Sequence, residues 1–585
     1  MRNKIMKLKC LPPVPDLHGQ NIEYTFTERV EQEDVYIYTF AMESVAAICP
    51  QPITVRFAFA KDDVYCVFRP NACGICTLPP DWAMLESNSR SASGAPVLAF
   101  IGGKDNNRLT VALSDCKNPI RLRTGLHEED CTVLCEVELF SDIVAPLNKY
   151  SVEIRLDFRD IRADKSIKDV RAWWTSCGYV SAEMPATAAL PMYSTWYSMH
   201  QQISTAAILE QCRLAKLLGM DTVIIDDGWQ TNDNNRGYAY CGDWKVCSEK
   251  IPDLRALVDA LHDIGMKVML WFSVPFVGKH AAAYKKFAGK YLYTEDRLGT
   301  VVFDPRYPEV RAYLAETYVR FARAFHIDGF KLDFIDSCRL TADTAVAGGD
   351  CTSLEDGIEK LLADVTSALK AINPDVMIEF RQTYMGDVMQ KYGNMLRVSD
   401  CPGNALVNKF GAIELRLLSN GIAVHADPIE WHTSERAEIA AMQINHTLFA
   451  VPQISVDLVK LPVEHKKMLT YYLSYMRENR KTLLFGDMYA DGWAHGITAA
   501  RATGNGKTIA VSFGGTVDMC AGNTDVINAT CEESVILTSK TMLKGKLRVV
   551  DCMGTSIYER TVCLNAGCTE IEIPISGFAF FTNLS

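Results

Sequence analysis

The sequence predicts a multidomain protein: an N-terminal β-sandwich over residues 1–170, a central (β/α)8 TIM barrel over 185–478 and a small C-terminal β-sandwich over 480–585. Three observations carry this. Short segments with period-two alternation fill both ends of the chain. Between them, eight apolar runs alternate with amphipathic helical stretches. Most of those runs close on polar or aromatic residues, which is how the strands of a parallel barrel meet solvent. At 585 residues the chain is too long for one compact core, so several domains are expected.

In the N-terminal part, Val35-Tyr-Ile-Tyr-Thr-Phe40, Ile53-Thr-Val-Arg-Phe-Ala-Phe59 and Tyr150-Ser-Val-Glu-Ile-Arg-Leu156 alternate apolar and polar positions. A turn-rich stretch, Glu86-Ser-Asn-Ser-Arg-Ser-Ala-Ser-Gly94, separates such segments. In the barrel, strands begin near Tyr193, Thr222, Lys267, Asp328, Asp375, Met395, Gly421 and Val451. The first helix has Ser204 as N-cap and Gly219 just past its end; the second starts at Pro252-Asp253 and carries Leu254, Leu257, Val258, Leu261 and Ile264 at helical spacing. The fifth and sixth strands lie so close in sequence that only a short helix fits between them, and 227–252 reads as a long loop. The C-terminal part returns to β character, as in Thr508-Ile-Ala-Val-Ser-Phe513 and Ile571-Glu-Ile-Pro-Ile575.

Composition narrows the function. Hydrophobic residues make up 48% and charged residues 22%, as in ordinary globular protein. A formal net charge of -11 and a pI near 5.6 argue against nucleic acid or an anionic membrane as partner. No apolar run approaches the roughly 18 residues of a membrane span. The run MRNKIMKLKCLPPVP has basic residues with no apolar stretch behind them, so no secretory leader is expected and the chain reads as cytoplasmic. The 20 cysteines then read as reduced and mostly buried, and Cys73-Gly-Ile-Cys76, without a second pair, as a packed turn rather than a zinc or redox site. No cofactor or metal is called for.

The chemistry lies at the strand ends. The first closes on Ser194-Thr-Trp196-Tyr197, the second on Asp226-Asp227-Gly-Trp229 and the third on Leu270-Trp271. The fourth closes on Lys331-Leu-Asp333, the fifth on Glu379-Phe-Arg381, the sixth on Arg397-Val-Ser-Asp400 and the seventh on Ala426-Asp427. Two carboxylates, Asp333 and Asp400, facing one site suit glycoside hydrolysis. Trp196, Trp229, Trp244 and Trp271 suit the apolar face of a sugar ring, and Asp226, Asp227, Lys331 and Arg397 its hydroxyls. So many carboxylates would repel a phosphate, and no Gly-rich cradle follows a strand. Singly these residues are weak signals: a lone tryptophan in a barrel is more often core, and an aspartate after a strand is often a helix N-cap, as Asp336 is read here. Their coincidence at most of the eight strand ends carries the reading.

In these motifs the chain resembles glycoside hydrolase family 36, the α-galactosidases. Pro191-Met-Tyr-Ser-Thr-Trp196-Tyr197 looks like the family's first-strand segment, and Asp226-Asp227-Gly-Trp229 followed by Gly242-Asp243-Trp244 like its DDGW…GDW signature. Gly265-Met-Lys-Val-Met-Leu-Trp271 is similar to its third strand, Lys331-Leu-Asp333 to its nucleophile motif and Arg397-Val-Ser-Asp400 to its acid/base motif. The resemblance implies a retaining exo-α-glycosidase acting on an oligosaccharide or glycoconjugate with a terminal α-linked galactose-type sugar. It implies Asp333 as nucleophile and Asp400 as acid/base, roughly 5–5.5 Å apart. It further implies Asp226 and Asp227 at the 4- and 6-hydroxyls, Lys331 on ring hydroxyls and beside Asp333, Arg397 orienting substrate or acid/base, and Trp196 and Trp271 as walls. The N-terminal domain is shorter than in the large tetrameric members, so their oligomeric state is not carried over.

One segment departs from the family. Where relatives have a Cys- and Gly-rich fifth strand beside the sugar's 2-hydroxyl, this chain has Ile378-Glu379-Phe380-Arg381-Gln382-Thr383-Tyr384. Either Arg381 pairs with Glu379, Asp333 or another pocket acid, or its guanidinium contacts a substrate group that plain galactose lacks. An α-N-acetylgalactosaminidase, another modified α-galactoside hydrolase and a raffinose-synthase-like transglycosidase are the competing readings within the class. Outside it stand an inactive carbohydrate-binding protein, disfavoured by the presence of both Asp333 and Asp400, and a Schiff-base aldolase on Lys331, disfavoured by its acidic neighbours.

Overall fold

The computed structural model describes residues 12–342, 344, 349–519 and 522–584; most of the N-terminal run read above for a leader lies outside them. The N-terminal alternating segments pair into two antiparallel sheets. One has five strands in the order Val14–Asp16, Ile53–Ala60, Thr132–Leu139, Ile120–His127, Leu85–Ser89. The other has six, in the order Glu23–Gln32, Val35–Ile48, Leu147–Asp157, Asn107–Leu113, Val97–Ile101, Cys66–Phe68. Period-two alternation sends Phe40, Phe59, Phe100, Leu122, Val133 and Val152 into a common core between the sheets. The helix Ala163–Ser176 leads on from the sandwich, held to it where the Trp174 indole donates to Leu113 O at 2.7 Å.

Eight parallel strands follow: β1 (Met192–Ser194), β2 (Thr222–Ile225), β3 (Lys267–Ser273), β4 (Gly329–Asp333), β5 (Met377–Arg381), β6 (Met395–Arg397), β7 (Ala423–His425) and β8 (Gln453–Ile454). Sequential neighbours pair, β8 pairs with β1, and bridges His425↔Val451 and Ile429↔Ile454 draw the remaining edges together into a barrel. Each strand starts within two residues of the position its apolar run indicates. The helices are α1 (Thr205–Leu218), α2 (Leu254–Asp263), α3 (Pro308–Phe325), α4 (Leu354–Lys370), α5 (Asp387–Gln390), α6 (Ala405–Leu418), α7 (Ala437–His446) and α8 (Val463–Phe485). Ser204 caps α1 by accepting Ala207 N–H, Gly219 ends it at φ +105°, and Asp253 caps α2 through Ala256 N–H. The crowded interval between β5 and β6 holds only the single turn α5. Beyond β3 the chain makes a three-stranded antiparallel excursion (Phe276–Gly278, Tyr291–Glu295, Thr300–Phe303) that the strand pattern does not announce.

The C-terminal residues form a seven-stranded sheet and a three-stranded one around Val526, Leu547, Val549 and Phe581. They dock on α8, where Tyr472 and Tyr475 pack against Phe578 and the Tyr475 hydroxyl donates to Asp525 at 2.7 Å. No helix among the described residues is long and apolar enough to cross a membrane. Cys73 is exposed and Cys76 half-buried beside Arg69, so the CxxC turn is looser than the packed pair expected.

At the N-terminal end of β4, Asp328 is buried and accepts hydrogen bonds from His262 Nε2 (2.7 Å), Lys267 Nζ (2.8 Å) and Val268 N (2.9 Å). These ties pin β3 to β4 at the end opposite the site. Asp328→Ala leaves a buried N–H, the Lys267 ammonium and the His262 ring nitrogen without their acceptor and should cost about 2–4 kcal/mol. The expected result is a lower thermal unfolding temperature; an unchanged one would show that this corner does not hold the two strands.

Candidate active site

Strand parity and register assemble the site. Lys331 and Asp333 are two apart on β4, so they share a face, as do Glu379 and Arg381 on β5. Register pairs Trp271 with Lys331, Ser273 with Asp333, Lys331 with Glu379, and Arg381 with Arg397. Continuing the β4–β5 register by two residues puts Asp333 opposite Arg381. The Arg381 Nε donates to Asp333 Oδ1 at 2.6 Å. The same oxygen accepts Phe334 N at 2.8 Å, and Oδ2 accepts the Trp271 indole at 3.0 Å. Burial raises the Asp333 carboxyl, but Arg381, then Lys331 and the indole bond, bring it well below the usual carboxylate range. Asp333 is therefore held as a carboxylate.

Asp400 sits at the mouth of the barrel with its side chain 55% exposed, the Arg397 Nη2 at 2.8 Å from its Oδ1. Desolvation raises its carboxyl, Arg397 and then Lys331 lower it, the Asp333 charge raises it, and the balance is downward. Arg397 is buried and serves three acids: it also bonds Asp427 and lies 3.6 Å from Glu379. Asp427, just past the end of β7, further accepts the Tyr197 hydroxyl (2.8 Å) and Cys401 N (2.7 Å); burial outweighs the opposing Arg397 charge and leaves its carboxyl raised to about 7. Glu379 accepts the Gln453 amide.

On the β2 side, Lys331 Nζ donates to Asp226 Oδ2 at 2.7 Å. Asp227 is fixed by two side-chain amides, Gln201 at 2.7 Å and Gln230 at 2.6 Å. Trp196 is half-buried in the short helix Trp196–Met199, edge-on to His200 at 4.9 Å.

The expected residues Asp226, Asp227, Trp271, Lys331, Asp333, Arg381, Arg397 and Asp400 thus converge through direct contacts or neighbouring charges. The first reading of Arg381 is the one the fold displays: it pairs with Asp333 and not with Glu379, which lies one layer deeper against Arg397 and Gln453. Two sets of expectations need correction. Trp229 and Trp244 are fully buried, stacked on each other at 5.9 Å beneath Trp271, so they are core and not sugar platforms. Asp336 caps no helix: it lies in the 3-10 turn Ile335–Ser337, well before α4, with Thr383 Oγ1 on its Oδ2 at 2.9 Å and Arg381 Nη2 3.6 Å from its Oδ1. Gln201 and Gln230, whose neutral side chains carry no signal, cannot be picked out in the sequence, and Asp427 shows there only as a strand end.

The melibiase family model matches residues 188–486, just over half of the chain and the whole of the barrel. The chain belongs to the melibiase family. Among curated proteins this melibiase-family chain is 21% identical to α-galactosidase AgaA of Geobacillus stearothermophilus over 324 residues, 51% of this chain and 42% of that one. It is 35% identical to the 1,4-α-glucan branching enzyme GlgB of Mycobacterium tuberculosis over 119 residues, 19% of this chain and 16% of that one. These matches span less than half the length of either relative. Among solved structures, the α-galactosidase from Lactobacillus brevis superimposes with a TM-score of 0.66 at 14% identity, covering 98% of this chain and 81% of that one, a likeness of fold.

The environment of Asp227 makes a direct prediction. Burial raises its carboxyl to about 6, with the Gln230 and Gln201 amides opposing. Its carboxyl resonance, assigned by its loss in Asp227→Asn, should titrate near pH 6 in aspartate-labelled protein. A midpoint at or below the ordinary value would mean that the two amides outweigh burial.

Proposed function

We propose that the chain is a retaining exo-α-glycosidase that hydrolyses α-galactosides through a covalent glycosyl-aspartate. The observation that carries the proposal is the pairing of unlike carboxylates across the barrel mouth: Asp333, buried and held ionised by Arg381 and Trp271, and Asp400, exposed toward solvent beside Arg397. The first suits a nucleophile under the sugar's C1. The second suits the acid/base facing the departing group. Asp226 and Asp227 would take the 4- and 6-hydroxyls, with the half-buried Trp196 as a wall; Trp271, expected as a second wall, is as buried as Trp229 and Trp244 and acts through its indole bond to Asp333.

Asp400 protonates the glycosidic oxygen as Asp333 bonds to C1; water then attacks C1, Asp400 takes its proton, and Asp333 leaves as carboxylate. The Asp333 charge raises Asp400 in the free enzyme. Esterification removes that charge, lowering Asp400 just when it must act as base. Substrate binding strips water from Asp400 and favours its protonated form for the first step.

Arg381 bears on the choice of sugar. The family resemblance puts β5 beside the 2-substituent, and there the guanidinium occupies the space against Asp333 and Asp336. A bulky 2-acetamido group would have to displace it, which favours unsubstituted galactose over N-acetylgalactosamine. The α-galactosidase names of AgaA and of the Lactobacillus brevis structure support the same choice, and the stachyose complex of an AgaA variant supports an oligosaccharide substrate. The reaction is read as hydrolysis, with transfer to a sugar acceptor as the competing outcome.

A panel of aryl α- and β-glycosides of galactose, N-acetylgalactosamine, galactosamine and glucose tests anomer and sugar together; best turnover of a sugar other than α-galactose would overturn the assignment. A slow fluorinated α-galactosyl substrate should label Asp333, and label found on Asp336 or Asp400 would reassign the nucleophile. Asp400→Ala should cost oligosaccharide turnover far more than turnover of activated aryl galactosides, and azide should restore rate with retained configuration. Because the Asp400 carboxyl lies below its ordinary value, its protonated form becomes scarcer as pH rises, so kcat/KM on an oligosaccharide should fall from weakly acid toward neutral pH. An activated aryl galactoside should depend on pH less; equal slopes for both would remove Asp400 from the acid role.

A further inference from the structure

We propose that Arg381 is a countercharge shared between two carboxylates: it holds Asp333 while that residue is ionised and transfers to Asp336 once Asp333 is esterified. The kinetic part of this inference rests on the glycosidase reading of Asp333; the structural part does not.

Three observations point to it. The Arg381 guanidinium already spans both acids, with Nε 2.6 Å from Asp333 Oδ1 and Nη2 3.6 Å from Asp336 Oδ1. The second separation is too long for a hydrogen bond. Asp336 Oδ1 is enclosed and accepts no hydrogen bond, while its Oδ2 is served by Thr383. A buried carboxylate oxygen without a donor is costly, and the nearest charged donor needs to move by less than an ångström to reach it. The site's other cations are committed elsewhere, Lys331 to Asp226 and Arg397 to Asp400 and Asp427.

The surroundings permit the movement. The guanidinium lies over the rings of Phe334 at 5.1 Å and Tyr384 at 5.7 Å, faces along which a planar cation can pivot without losing contact. Its Nη1 is tethered to Gln382 O at 2.9 Å. The backbone of Asp336 is fixed from the sandwich by Arg90 Nη2 on its carbonyl at 3.1 Å. The acceptor is held still and the donor turns.

The consequence is chemical. Arg381 stabilises the Asp333 carboxylate and so opposes its attack on C1. As the C1–oxygen bond to the leaving group breaks, with its proton supplied by Asp400, and the C1–Oδ2 bond forms, Asp333 loses its charge. Oδ2 is the freer oxygen, since Oδ1 already takes two donors. Arg381 is then left beside a neutral ester with the Asp336 carboxyl within reach; burial raises that carboxyl, and the approach of the guanidinium favours its ionised form, so bonding Asp336 offsets what Arg381 gives up. When water attacks and the C1–Oδ2 bond breaks, the charge returns to Asp333 and Arg381 with it. Asp336 is on this view a positioning residue that acts through Arg381.

A crystal structure of the Asp333→Asn variant without substrate tests the movement, because the amide removes the charge as esterification does. The Arg381 Nη2 to Asp336 Oδ1 distance should contract to about 2.9 Å. A guanidinium still on residue 333, with Asp336 Oδ1 unbonded, would overturn the proposal whatever the substrate proves to be. Kinetics on whichever aryl glycoside the wild type turns over gives the second test. Asp336→Asn should slow formation of the glycosyl-enzyme about tenfold or more without slowing its hydrolysis; Arg381→Met should make the intermediate accumulate as a burst. The double variant should behave like Arg381→Met alone, since Asp336 has nothing to act on without the arginine. Losses that multiply would show independent roles and refute the shared charge. If Arg381→Met does not fold, Arg381→Lys keeps a charge on Asp333 but not the span to Asp336, and should slow formation of the glycosyl-enzyme as Asp336→Asn does; formation as fast as in the wild type would refute the shared charge.

Discussion

The structure is governed by the need to compensate charge at the C-terminal mouth of the barrel. Asp226, Asp333, Glu379 and Asp427 are buried, and an ion taken out of water without a partner costs several kcal/mol. Three cations, Lys331 on β4, Arg381 on β5 and Arg397 on β6, meet that cost by direct pairing. Each reaches acids on other strands or on the loops that follow them. The pairing therefore depends on strand register, and a shift of one residue would turn every one of these side chains to the other face.

The same constraint explains how the neighbouring domain is used. The sandwich touches the barrel close to the segment 381–383. Gly94 N donates to Thr383 O at 2.7 Å, and Arg90 holds the Asp336 carbonyl. From α6, Glu414 accepts Asn71 N of the sandwich and the Gln382 amide, and burial drives its carboxyl up to about 8. Gln382 in turn takes Ser399 N and Ser399 Oγ, beside Asp400. The stretch that carries Arg381 and the stretch that carries Asp400 are thus braced against each other and against the sandwich. A barrel wall with only the single turn α5 between β5 and β6 has few contacts of its own, and the sandwich supplies the missing ones.

The difference between the two catalytic candidates follows from depth. Both are aspartates that follow apolar runs and both lie near arginines. Asp333 is the last residue of its strand and lies inside the ring of side chains; Asp400 lies three residues past its strand and reaches the rim. The first is desolvated and clamped, the second exposed and open to changes in protonation. Identical chemistry at two depths gives two different acids.

Much of this was legible in the chain. Periods of two and 3.6 located the sheets, the eight barrel strands and the helix caps, because backbone geometry converts spacing into facing. Strand ends located Asp226, Asp333, Arg381, Asp400 and Asp427, because a charged residue after an apolar run has few places to go but a polar rim. Partner choice was not legible. Trp229 and Trp244 look like sugar platforms in sequence and are core, since a tryptophan's spacing says nothing about what is packed over it. Asp336 looks like a helix cap and lies among the acids of the site, because among the described residues the next helix begins only at Leu354 and the 3-10 turn Ile335–Ser337 sets Asp336 near Arg381. Gln201 and Gln230 had no signature at all. Local sequence determines which residues face a common side; which of them touch depends on register, on loop paths and on contacts from another domain, and those exist only once the whole chain has folded.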